Sequence, residues 1–222
     1  EDPDLLAYLG AENAYAEART AVLAPLRTVL FEEIRSRVQE SDLSVPIGDG
    51  PWWYYSRTIE GAQYPVHARR PRQKGERRPE IDGEARVEGE QILLDGNAAA
   101  SDHEFFSVGA LTVSPDHRLL AAGTDVTGDE RFDLVITDIA TGRIVDDAIT
   151  EVGYGAEFDA SGRHLFYVVL DDAWRPHQVW RHEVGSARAS DVLVYQEDDE
   201  RFWMGLGGSR DERFLMIGVG SK

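Results

Sequence analysis

The sequence predicts a mainly β protein: an incomplete β-propeller of about three and a half blades, preceded by an N-terminal arm of two helices. Three observations carry this expectation. Residues 4–38 place apolar side chains at helical spacing. From about residue 50 onward, short runs rich in aromatic and β-branched residues alternate with turn-forming residues. Those runs recur at intervals close to 45–50 residues, the length of one propeller blade.

The arm comes first. Leu5, Leu6, Leu9, Ala16, Val22 and Leu23 mark apolar positions, and Ala and Glu, both good helix formers, are frequent. Pro25 lacks an N–H and clashes with a preceding turn, so the spacing predicts two helices, about 4–23 and 26–38. In the second, Leu26, Leu30 and Ile34 line one face, Val29 and Val38 widen it, and Arg27, Glu32, Glu33, Arg35 and Arg37 cover the remainder. Such an amphipathic helix requires a partner surface.

Pro46, Gly48, Gly50 and Pro51 then form a turn-rich boundary. The expected division is therefore an arm over 1–45 and propeller blades over 46–222. Strands are expected at 52–58, 64–69 and 91–94, with further runs beyond them. VSPDHRLLAAG (113–123), FDASGRHLFYV (158–168) and GSRDERFLMIG (208–218) share a polar turn, an Arg and an apolar run, and Arg118, Arg163 and Arg213 lie 45 and 50 apart. The nearly continuous apolar runs LFYVVL and FLMIGV suit strands packed on both faces. DLVITDIATGR (133–143) matches HQVWRHEVGSA (177–187), with Val135 and Val179 separated by 44. QILLDG (91–96), RIVDDA (143–148) and DVLVYQ (191–196) form a third set, with Ile92, Ile144 and Val192 spaced by 52 and 48. Blades are expected at about 50–96, 107–149 and 153–196, with a fourth beginning near 201. Closed propellers usually have four to eight blades. Three and a half leave apolar faces and open edges in water, so the native chain is expected to continue. A small open β protein or a self-completing oligomer is the alternative.

RRPRQKGERRP (69–79) carries Arg69, Arg70, Arg72, Lys74, Arg77 and Arg78 against the single acid Glu76. Between two strands it reads as a protruding, solvated loop, with a binding loop as the alternative.

The formal net charge is −18, from 41 acidic and 23 basic residues. That surface disfavours nucleic acid and anionic membranes. It suits basic peptides, and it equally favours solubility. No apolar run approaches the about 20 residues that span a bilayer, and no basic-then-apolar leader is visible. The chain opens on EDPD without Met, so its start is expected to be missing or processed. Absence of cysteine excludes disulfides, thiolate nucleophiles and Cys-ligated metals.

No complete active site is legible. Ser209 in GLGGSRD lacks the Gly that would follow a hydrolase nucleophile and lies in a repeat turn. The histidines (His67, His103, His117, His164, His177, His182) form no H-E-x-x-H, and His177 and His182, five apart on an expected strand, face opposite ways. Asp125, Asp129 and Glu130 hint at a cation site, but a hairpin turn fits better. The pairs Asp146-Asp147, Asp171-Asp172 and Asp198-Asp199 read as solvated turns. No catalytic, cofactor-binding or metal-ligating residue is assigned.

LLAYLGAENAYAEA (5–18), DLSVPIGDGPWWYYSRTIEGAQYPVHARR (42–70), HEFFSVGALTVSPDHRLLA (103–121), TGDERF (127–132) and PHQVWRHEVG (176–185) resemble oligopeptidase B, a branch of the prolyl oligopeptidase family of serine peptidases. The resemblance runs from about residue 4 to 218, although Pro176-His177 stands where the family usually has Pro-Tyr. It implies an N-terminal portion of a two-domain peptidase in which a seven-bladed propeller covers a C-terminal α/β-hydrolase domain. That domain would carry the Ser, Asp and His triad, the oxyanion hole and an acidic S1 pocket beyond residue 222. The arm would pack on it, and the propeller would act as a gate that excludes folded proteins. The resemblance further implies cleavage of short peptides after Arg or Lys, a cytoplasmic location, no metal or organic cofactor, and an inactive isolated chain. In the family's E-[FY]-[FY]-S-[VLM]-G stretch the Glu lies at the interface between domains and can pair with an Arg of the catalytic domain. The matching residue is Glu104, at the head of Glu104-Phe105-Phe106-Ser107-Val108-Gly109.

Overall fold

The computed structural model describes residues 2–79 and 87–221. Helix α1 spans Pro3–Thr20, a 3-10 turn occupies Ala21–Leu23, and α2 spans Ala24–Arg35. Asp2 caps α1 by accepting from the Asp4 N–H. The chain divides into two helices at Pro25 as expected, and the proline sits in the first turn of α2, where its missing N–H costs nothing. The second helix stops at Arg35, three residues short of expectation. None of the side chains in α1 or α2 is buried.

Among the described residues the strands form four antiparallel sheets. The first contains β1 (Ile47–Asp49), β2 (Trp52–Arg57), β3 (Val66–Pro71) and β4 (Gln91–Asp95) in that order. A short helix, α3 (Gly96–Ala100), leads to β5 (Ser107–Val113), β6 (Leu119–Asp125), β7 (Phe132–Asp138) and β8 (Ile144–Val152). The third sheet runs β9 (Ala156–Phe158), β10 (His164–Leu170), β11 (Pro176–Glu183) and β12 (Val192–Gln196). The last pairs β13 (Phe202–Gly208) with β14 (Leu215–Ser221). These sheets fall on the expected blades.

The blades stack by interleaving apolar side chains. Ala121, Phe132, Leu134, Ile136 and Ile149 of the second blade pack with Ala156, Phe158, Leu165 and Tyr167 of the third. On the other face of the third blade, Val168 and Val179 meet Met204, Leu206 and Ile217. The alternation along β10 explains both contacts: Leu165 and Tyr167 point one way, Val168 the other. Strand β14 departs from the expectation of burial on both faces. Its Met216 faces away from the third blade, opposite to Ile217, and is exposed, as is Val219 on the same edge strand.

The repeated turns are structurally equivalent. Ser114, Asp159 and Ser209 each donate their N–H to the carbonyl five residues on, at Leu119, His164 and Phe214. The fourth position of each turn is left-handed: His117 at φ 60°, Gly162 at 67° and Glu212 at 57°. Only glycine adopts that region without a Cβ clash. The exposed Glu212→Gly substitution should therefore raise stability by about 1 kcal/mol, read as a higher denaturation midpoint. Ser209 is part of this turn: its Oγ donates to Asp211 and accepts from the Phe214 N–H.

Residues 69–71 depart from the expected solvated loop, whereas 72–79 lie outside any strand and are mostly exposed. Arg69, Arg70 and Pro71 belong to β3, and Arg69 is buried. Its Nε donates to Gln91 Oε1 at 2.9 Å, its Nη1 donates to the His117 carbonyl at 2.7 Å, and its guanidinium lies 3.9 Å over the Trp52 ring. Arg70 pairs with Glu76, and Arg72 stacks on Trp53. Half of the basic run is thus used to fasten the first blade, and Arg69 also ties it to the second.

Candidate functional site

Antiparallel order sends successive strand ends to opposite ends of the blades. The chain leaving the arm enters at one of these ends: Leu43 bridges to Arg57, and the Ser44 N–H donates to the Ser56 carbonyl. The loops at this arm end are 58–65, 96–106, 126–131, 153–155, 171–175 and 197–201.

Those loops carry an unusual share of exposed apolar side chains: Ile59, Phe105, Val126, Tyr154 and Trp174. Three of them have visible supports. Tyr154 packs on the buried Phe132 ring with centroids 4.7 Å apart. Trp174 donates from Nε1 to the Asp129 carbonyl at 2.6 Å and receives the Arg131 guanidinium 5.0 Å over its ring. Phe105 lies against Gly128. The turn carrying Gly128 is built on Asp125, whose carboxylate accepts from the N–H groups of Thr127, Gly128 and Glu130. Burial works against ionisation of Asp125, yet those N–H groups outweigh it and hold the carboxyl below its ordinary range. This acidic stretch is a hairpin turn whose carboxylate is spent on the backbone.

Glu104 lies at the same end, between α3 and β5, and is exposed. Among the described residues it has no ion-pair partner. Its neighbour Phe106 is buried, edge-on to Tyr64 at 5.4 Å, which fixes the local backbone. The arm adds a second unpartnered surface. Leu26, Val29, Leu30, Phe31 and Ile34 on α2 are all exposed, as are Leu5, Leu6, Tyr8 and Leu9 on α1. Arg37 pairs with Glu33, and Arg35 with Glu40 at 2.6 Å, so charge is neutralised locally on the polar side of the second helix.

The polar clusters elsewhere do not assemble a nucleophile with its base. Ser161 and His164 both meet Asp159, which stands between them; in a hydrolytic triad the histidine stands in the middle. His182 is fully buried between Asp146 and Asp191 with no hydroxyl nucleophile bonded to it. Asp146 is not the solvated turn residue that its sequence context suggests: it lies buried within β8, while His177 remains partly exposed. Among the described residues no group of three or more His, Asp or Glu side chains is disposed to hold a metal ion. Likewise, none of the described helices is long and apolar enough to cross a membrane.

Comparison with known proteins agrees with the fold. The family model described as "Prolyl oligopeptidase, N-terminal beta-propeller domain" matches residues 1–222. Dipeptidyl aminopeptidase BI of Pseudoxanthomonas mexicana is 39% identical over 225 aligned residues, covering 100% of this chain and 31% of the relative. Protease 2 of Moraxella lacunata is 31% identical, again over 31% of its length. Among solved structures, oligopeptidase B from Leishmania major aligns over 99% of this chain and 30% of its own, with a TM-score of 0.86 and 27% identity. Oligopeptidase B from Trypanosoma brucei, in a closed form with covalently bound antipain, aligns with a TM-score of 0.83 and 29% identity over 29% of its chain. The chain therefore spans about a third of the length of these relatives.

Proposed function

The chain belongs to the prolyl oligopeptidase family, matching its N-terminal β-propeller domain, and on that premise we propose that it is the arm and gate portion of an oligopeptidase B-like serine endopeptidase that cleaves short peptides after Arg or Lys. In this reading residues 1–45 are the arm and 46–222 the first blades. The Ser, His and Asp of the acyl-transfer mechanism belong to a C-terminal α/β-hydrolase domain beyond residue 222. The chain by itself is inactive, and the parent enzyme is cytoplasmic.

The observation that carries the proposal is the coincidence of exposed but supported apolar side chains and an unpaired charge at one end. Phe105, Tyr154 and Trp174 are exposed yet rigidly supported, and Glu104 stands beside them without a counter-charge among the described residues. A supported apolar rim with an unpaired charge is what a domain interface presents. Further support comes from the 31% coverage of the peptidase relatives, which leaves room for a second domain.

The full-length polypeptide should hydrolyse short peptides with Arg or Lys before the scissile bond and leave a folded protein of the same composition intact. Equal turnover of peptides with Ala or Pro at that position would reject the basic specificity. Glu104→Gln in the same polypeptide should change turnover and the balance of open and closed forms, with little loss of propeller stability. An unchanged rate profile would remove Glu104 from the interface.

A second reading, a non-enzymatic module that associates through open edges, draws on the exposed β12 residues Val192, Leu193, Val194 and Tyr195. It predicts a stable assembly of this chain without hydrolysis.

A further inference from the structure

A buried polar cluster lies in the seam between the second and third blades, beside the apolar side chains that join them. His182, on β11 of the third blade, is completely buried. Its Nε2 lies 2.8 Å from Asp146 Oδ2 on β8 of the second blade, and its Nδ1 lies 2.7 Å from Asp191 Oδ1, just before β12. Both carboxylate side chains are almost wholly buried as well.

The surrounding donors decide where the protons are. Asp146 also accepts from the N–H groups of Ala148 and Gly185. Burial opposes its ionisation, but His182, Ala148 and Gly185 together hold its carboxyl below the ordinary range. The Tyr167 hydroxyl, on β10, donates to Asp191 Oδ2 at 2.8 Å. Burial, then the bond to Asp191, pushes that phenol up, so it keeps its proton. Arg188 is the other charged side chain facing the cluster; it donates to the Thr150 carbonyl and lies near Tyr167. Asp146 Oδ2, which also takes the Gly185 N–H, is an acceptor, Asp191 meets the other ring nitrogen, and a neutral imidazole can donate from only one nitrogen.

We propose that His182 is a buried imidazolium that pins the second blade to the third, so that the seam closes with proton uptake and loosens as the pH rises. In the closed seam the ring carries two N–H groups, each donated to one carboxylate. When the seam opens, water replaces the two carboxylates around the imidazole, and nothing there favours its charged form any longer. Opening therefore releases a proton, and the opening equilibrium grows with pH by up to about tenfold per pH unit. The sign follows from the bound proton: the closed form holds it, so alkali favours the open form.

Asp191→Asn isolates the charge from the packing. The introduced amide can accept from the Tyr167 hydroxyl with its oxygen and donate its N–H to a neutral His182 Nδ1, while Nε2–H still donates to Asp146. Every bond survives without the positive charge. The test is hydrogen exchange by mass spectrometry on the full-length native polypeptide from neutral to alkaline pH. It is read as protection factors, which divide out the intrinsic pH dependence of exchange. Peptides covering 144–152 and 176–187 should lose protection by up to about tenfold per pH unit relative to strands β5 and β6. In Asp191→Asn they should follow those strands with no excess slope. Equal slopes in all strands of the wild type, or the same excess slope in Asp191→Asn, would overturn the proposal.

Discussion

Replacing His182 by Ala should destabilise the propeller by about 3–5 kcal/mol, because it leaves two buried carboxylates facing each other's field with no cation between them. Asp146 and Asp191 present side chains only 3% and 2% exposed, so water cannot replace the lost bonds without opening the seam. The loss also removes packing beside Leu165, the cross-strand neighbour of His182. The measurement is the denaturant midpoint of wild type against His182→Ala, with Asp146→Ala and the double variant completing the cycle. The two single losses should be strongly non-additive, since removing either partner already strands the other. Additive losses would mean that the ion pair contributes nothing beyond packing. Acid should weaken the same contact. The folded carboxyl of Asp146 is held below its ordinary value, so its contribution is present above the unfolded carboxylate range and is lost as the pH falls through the folded value.

The second large effect is expected in the arm. Leu26, Leu30 and Ile34 are 54%, 46% and 64% exposed, and no side chain of either arm helix is buried. Burial of three such side chains against a docking domain contributes about 1.5–3 kcal/mol each. Changing all three to Asp in the full-length polypeptide should therefore detach the arm and reduce peptide turnover by at least about tenfold. The propeller's own denaturation midpoint should not move, because these side chains touch none of its core clusters. A shifted midpoint with unchanged turnover would place the arm on the propeller instead.

The blade architecture is legible in the sequence because each blade repeats a local chemical requirement. Ser114, Asp159 and Ser209 close the same six-residue turn, and the apolar run after each is the next strand. The arm is legible from apolar spacing and from Pro25, which lies at the boundary between the two helices and occupies the first turn of the second. The His182 clamp is not legible. Its partner Asp146 is 36 positions away, and irregular register between β7 and β8, near Ile136, sets that carboxylate within the strand rather than in a turn. Charge alone makes Asp146-Asp147 look solvated. Arg69 escapes notice for a related reason: a cation on a blade face is buried when a neighbouring carbonyl and a Trp ring receive it, and both come from outside its own run. Glu104 is found only through resemblance, since an exposed glutamate before a strand carries no pattern of its own.

The central claim is that this chain is the front of a serine peptidase, and the native polypeptide tests it most directly. An antibody to this chain should detect, in source cells, a product several times larger than 24.8 kDa that takes up a fluorophosphonate serine label. An unlabelled product near 24.8 kDa would contradict the account and leave the chain as a free-standing association module.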